Sequence, residues 1–166
     1  MYFTGSFQAL HMEQQEDKYV KVLFRFHSNV LDEETVETIW ATTIDPEKGH
    51  YRIDNIPFYV PELACGDIVF AEYDDDEGRL TYRETVEYSG NSTVQVVIMD
   101  HSKNPEEIRK LFEEMGCESE GTDSSYFVMD IPADLDYYPV KLKLQQLSDA
   151  GVLDYAEPCL SAHHQY

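Results

Sequence analysis

The chain has 166 residues, 42% of them hydrophobic, and its 12 Lys and Arg against 33 Asp and Glu give a net charge of −21. That apolar fraction, with 12 Tyr and 8 Phe, excludes a natively disordered chain, because burial can offset the entropy of ordering. The charge disfavours nucleic acid and anionic membrane, whose affinity needs Lys and Arg to neutralise phosphate, and it favours a basic protein partner, although a plain solvated surface accounts for the same composition.

Residues 1–17 are mixed and read as an N-terminal arm. In Tyr19 to His27 (YVKVLFRFH) Val20, Val22, Phe24 and Phe26 share one face, a period of two that predicts a strand. Residues 37–43 predict a second strand, Asp45-Pro46-Glu47-Lys48-Gly49 a turn, and His50 to Ile53 the returning strand. Pro57 and Pro61 make 54–66 a loop. A hairpin follows, from Asp67 to Tyr73 and from Arg79 to Tyr88, with Asp74-Asp75-Asp76-Glu77-Gly78 at its tip. Five short strands at this spacing predict a small SH3-like barrel over 18–92.

Ser89-Gly90-Asn91-Ser92 marks a change of pattern. A strand from Thr93 leads to a helix capped by Asn104, opened by Pro105 and closed by Gly116, with Ile108, Leu111, Phe112 and Met115 as its apolar stripe. Strands are expected at 117–122 and 125–131, a second helix opening at Pro139 with Val140, Leu144 and Leu147 on one face, and a last strand from Val152 to Cys159. The expected class is therefore α+β, with a ferredoxin-like βαββαβ half over 93–160 behind the barrel and a fraying tail at 161–166.

No phosphate loop, dinucleotide fingerprint or nucleophile elbow is present. Cys65, Cys117 and Cys159 are odd in number and lack a CxxC, which fits reduced thiols in the cytoplasm. The first residues lack the features of a signal peptide, and no apolar run reaches the roughly 20 residues of a membrane helix. The run from Asp74 to Glu77 admits three readings: an acidic finger for a basic cleft, a hairpin tip whose charges discourage edge pairing, or a hard-cation site, for which the calcium-loop spacing is missing. Trp40 reads first as barrel filling and second, with Tyr51 and Asp54, as a protein-binding patch. His101 beside Asp100 occupies a loop where a general base can sit, without a neighbouring nucleophile.

The segments LFRF (23–26), ETIWATTID (37–45), YRIDNIPFYVPELACGDIVFAE (51–72) and LQQLSDAGVLDYAEP (144–158) resemble a bacterial family known as a domain of unknown function, number four-two-six-five. The resemblance spans roughly 19–158. It implies a small standalone bacterial protein, some members of the family being similar to immunity proteins encoded beside secreted toxins, and it brings no catalytic residues with it.

Charge, missing catalytic motifs and resemblance together make the leading expectation an immunity protein, not an enzyme, that covers the cleft of a basic toxin. The expected partner-binding residues are Asp74, Asp75, Asp76, Glu77, Asp54, Tyr51 and Trp40. No catalytic residue, metal or cofactor is expected, nor contact with nucleic acid or membrane, and the state is monomer or weak dimer. The alternative is a small-molecule-sensing module with its pocket between the two halves. A third reading, an enzyme, rests on His101.

Overall fold

Alternation of inward apolar and outward polar residues organises the first half of the chain into five strands. The computed structural model describes residues 18–122 and 125–166; the expected arm at 1–17 lies outside them. Strands β1 (Tyr19–Ser28), β2 (Glu33–Asp45), β3 (His50–Ile53), β4 (Ile68–Asp74) and β5 (Arg79–Glu87) form a closed barrel in that order. β1 and β2 pair antiparallel from Tyr19 opposite Thr42 to Ser28 opposite Glu33, and a parallel contact between Leu23 and Thr81 closes the ring. Val22, Phe24, Ile39, Ala41, Ile53, Val69 and Ala71 fill the interior, joined by Val60 and Leu63 from the loop at 54–66. The turn before β3 needs Gly49: its φ is +71°, and a Cβ there would lie 2.8 Å from the Ala71 carbonyl oxygen.

The second half forms a four-stranded antiparallel sheet. It comprises β6 (Ser92–Ile98), β7 (Glu118–Gly121), β8 (Tyr126–Ile131) and β9 (Leu153–Cys159), in the order β7-β8-β6-β9. Helix α1 (Pro105–Glu114) is capped by the Asn104 side chain, which accepts from the Glu106 N–H at 3.0 Å. Helix α2 (Tyr137–Asp149) starts two residues before the expected Pro139, because Asp136 caps it by accepting from the Tyr138 N–H at 3.1 Å. Pro139 then sits in the first turn, where an N–H would have no partner in the helix. Ile108, Phe112, Val140 and Leu144 from the helices pack against Val94, Val96, Ile98, Phe127, Met129 and Ile131, so both helices cover the same face.

The expected α+β class with a ferredoxin-like half is corrected by these proportions. The described residues are mostly β, with nine strands in two sheets against two α-helices of only 10 and 13 residues. Cap and stripe signals in the sequence report that a helix exists, but not its weight beside strands of 10, 13 and 9 residues in the barrel. Among the described residues no helix is long and apolar enough to cross a membrane.

Candidate functional site

Successive residues of a strand point to opposite faces, and in the second sheet the face away from the helices is polar. Thr93 and Gln95 of β6 and Tyr126 and Asp130 of β8 lie on it, and the loop at 54–66 is bonded across it. The Thr93 hydroxyl donates to the Leu63 carbonyl at 3.0 Å, and Gln95 Nε2 donates to the Phe58 carbonyl at 3.1 Å. The Tyr126 hydroxyl donates to the same Phe58 carbonyl, while its ring stacks on Tyr59 at 5.3 Å. From the barrel side, the Glu37 carboxylate accepts the N–H groups of Phe58, Tyr59 and Val60 at 2.8, 3.0 and 3.1 Å. The loop is thus a seam, hydrogen-bonded to the barrel on one side and to the sheet on the other.

Two carboxyl groups are buried in this seam. Asp67, 1% exposed, accepts from the Ala64 N–H at 3.0 Å, the Ser89 N–H at 2.8 Å and the Ser89 hydroxyl at 2.9 Å. Burial nevertheless holds it above the usual carboxylate range. Asp130, 5% exposed, has no hydrogen-bond partner for Oδ1, and its Oδ2 lies 3.5 Å from Asn91 Nδ2. Burial first, and then the charges of Glu118 and Asp67, push it up to about 7. The folded protein therefore holds a proton that the unfolded chain has already released, and Asp130 makes stability fall as pH rises through that window towards about 7. Burial also pushes the thiols of Cys65 and Cys117 up to about 12 and that of Cys159 up to about 11, with Asp130 adding to all three. They are protonated and poor nucleophiles at neutral pH.

Beside the seam opens a cleft of about 570 Å³, lined among others by Glu62, Tyr88, Asn91, Cys159, Ser161 and His163. Its floor depends on Gly90, whose φ is +89° and where a Cβ would fall 3.0 Å from the His163 ring. Its wall at 158–163 runs into the tail at 161–166, which is expected to fray and is instead docked. His164 is 3% exposed, with Nδ1 2.6 Å from the Ser92 hydroxyl and Nε2 3.0 Å from the Pro132 carbonyl. Next to it Lys141 pairs with Glu157 at 2.9 Å and lies 4.7 and 4.6 Å from the Tyr155 and Tyr166 rings. The Tyr137 and Tyr166 hydroxyls donate to the same carboxylate at 2.6 and 2.8 Å.

The residues expected from the sequence lie on the barrel. Glu77 is held by Arg25 through two bonds of 2.8 and 3.0 Å. Asp74 accepts from Arg83 at 2.7 Å and from the N–H groups of Asp76 and Glu77 at 2.9 and 3.1 Å. These bonds hold Asp74 and Glu77 below the usual carboxylate range, Arg83 and Arg25 being the main causes. Of the four acids of the finger only Asp75 and Asp76 are exposed. Trp40 does not fill the barrel: it is 45% exposed on the outer face, with Lys21 Nζ 4.9 Å from its ring. Asp54 is exposed and its N–H donates to the Trp40 carbonyl at 3.0 Å, while Tyr51 is half-buried against the barrel core. Trp40 and Asp54 are therefore brought together, and the finger is tied separately to Arg25 and Arg83. His101 is exposed, and Asp100 beside it accepts from Ser102 at 2.6 and 3.1 Å. Among the described residues no group of three or more His, Cys, Asp or Glu is placed to hold a metal ion.

The family model described as Domain of unknown function (DUF4265) matches residues 37–155. The chain belongs to this family. A solved structure, that of a hypothetical protein from Neisseria gonorrhoeae, is similar with a TM-score of 0.73 and 25% sequence identity, covering 85% of this chain and 94% of that one. No curated protein matches the chain. The DUF4265 match includes Glu37, the seam loop, Asn91 and Asp130, whereas His163 and His164 lie beyond it.

Sequence reasoning missed Glu62, Asp67, Asn91, Asp130 and His163. Two signals were available. Asp130 is a lone acid in the otherwise apolar run YFVMDI, and Ser89-Gly90-Asn91-Ser92 reads only as a change of pattern although Ser89 and Asn91 bond the Cys65 carbonyl of the seam.

Proposed function

We propose that the protein docks onto a basic protein, and that it does so as an immunity protein covering the cleft of a cognate toxin. The observation that carries this reading is how the chain disposes of its few cations. Of the 12 Lys and Arg, four (Arg25, Arg83, Arg109 and Lys141) are ion-paired within the chain and two (Lys18 and Lys21) lie over aromatic rings. With 33 acidic residues in all, the remaining carboxylates dominate the outward field, which steers a basic partner and repels polyanions. Asp75 and Asp76 supply the free charge of the finger, and Trp40 with Asp54 supplies an aromatic and acidic patch.

The test is capture from a native host lysate at low salt, followed by association kinetics with the purified partner. A basic protein whose association rate falls at least about tenfold between dilute and half-molar salt is expected. A partner that associates equally fast at both salt levels contradicts the reading. The cleft beside the seam favours a second reading, a small-molecule-sensing module. Thermal shift across a metabolite panel separates the two, because a specific ligand raises the unfolding temperature by mass action.

A further inference from the structure

We propose that the cleft beside the seam is a receptor for a guanidinium group, that of an arginine side chain on the basic partner. As a statement about the partner this rests on the docking reading above; as a cation site it stands on the cleft itself.

Charge comes first. Glu62 lines the cleft, and two buried carboxyl groups lie directly behind the 88–91 segment of its wall: Asp67, bonded to Ser89, and Asp130, within reach of Asn91. Among the described residues no Lys or Arg lines it. An anionic ligand would meet the Glu62 carboxylate with no lining Lys or Arg to offset it, whereas a cation finds a charged acceptor in Glu62. Burial first, then Tyr82, Asp67 and Glu62, hold the Tyr88 phenol above its usual range, and burial, Asp67 and Glu62 do the same for the Cys159 thiol.

Shape selects the cation. Tyr88, 65% exposed, and His163, whose imidazole lies close to Gly90, both line the cleft. A planar guanidinium stacks on such rings while its fork of N–H donors meets a carboxylate, whereas an ammonium is a compact point charge. The chain already holds one of its own cations in a similar setting, with Lys141 between Glu157 and the rings of Tyr155 and Tyr166. A volume of about 570 Å³ leaves room for the residues flanking an arginine.

The test is a nuclear magnetic resonance titration with N-acetyl-L-arginine amide, its neutral citrulline analogue and spermidine. The arginine probe is expected to shift the amide signals of Glu62, Ser89, Asn91 and His163 as one saturable site, at least about tenfold more tightly than citrulline. Glu62→Gln is expected to weaken it about fivefold or more, and Glu114→Gln, on the exposed face of α1, to leave it unchanged. Because Glu62 has a φ of +58°, Glu62→Asn serves as a second variant that removes the charge with a residue at ease in that conformation. Equal binding of citrulline, shifts scattered over the acidic surface, or tighter binding of spermidine overturns the assignment. A captured partner that binds Glu62→Gln as well as wild type sinks the arginine anchor and leaves the docking reading standing. Arginine binding with no basic partner does the reverse.

Discussion

The two faces of the β6–β9 sheet are made from alternate residues of the same strands and have opposite chemistry. Towards the helices lie Val94, Val96, Ile98, Phe127, Met129 and Ile131, all at most 1% exposed and in contact with apolar side chains. Towards the seam lie Thr93, Gln95, Tyr126 and Asp130, which meet the carbonyls and side chains of a loop. One face is a dry core whose stability comes from burial and close packing. The other is a hydrogen-bonded joint that fixes where the barrel sits and leaves carboxyl groups beside an open cleft. Burial alone does not distinguish them, since both are shielded from water; what differs is the cost of a lost partner.

The comparison is broken most severely on the dry side. Phe112, fully buried on the inner face of α1, has only packing to lose, and Phe112→Ala should destabilise by about 3–5 kcal/mol in urea denaturation. On the polar side the Phe58 carbonyl has two donors, Gln95 and Tyr126. Gln95→Leu and Tyr126→Phe should each cost about 1 kcal/mol, and the double variant more than their sum, because only it leaves the carbonyl without either donor. Strict additivity in that cycle would mean the seam bonds act independently. The smallest effect on stability is expected at the finger, where Asp75→Asn with Asp76→Asn touches exposed groups and should leave the urea midpoint unchanged. The same pair should slow association with a basic partner at low salt, a difference read by stopped flow.

What the sequence makes legible follows the same division. The barrel strands, the hairpin tips and the Asn104 cap depend on neighbours a few residues away, and local patterns report them. Pro57 and Pro61 likewise mark 54–66 as a loop. Its work as a joint is invisible, because its partners are Thr93, Gln95, Tyr126 and Pro158, far along the chain. Trp40 reads as barrel filling from its size alone, yet it stands opposite Lys21 in the β1–β2 register and shares that residue's outward face. The tail reads as frayed because nothing local holds it, while Ser92 and Pro132 bury His164 from a distance. The acidic finger is visible as a run of four charges, but not that Arg25 and Arg83 occupy two of them. Long-range pairing also decides the fold class, in which the strands outweigh two short helices.

The claim on which the rest depends is that the seam is a buried polar joint carrying ionisable carboxyl groups. Urea denaturation of wild type and Asp130→Asn at a series of pH values from 5 to 8 tests it most directly, since every other titrating group is common to both proteins. With Asp130 held at about 7, the wild type should lose about 1–3 kcal/mol relative to the variant as pH rises across that range, because ionisation then places an unpaired charge in the seam. Parallel stability curves for the two proteins would contradict it.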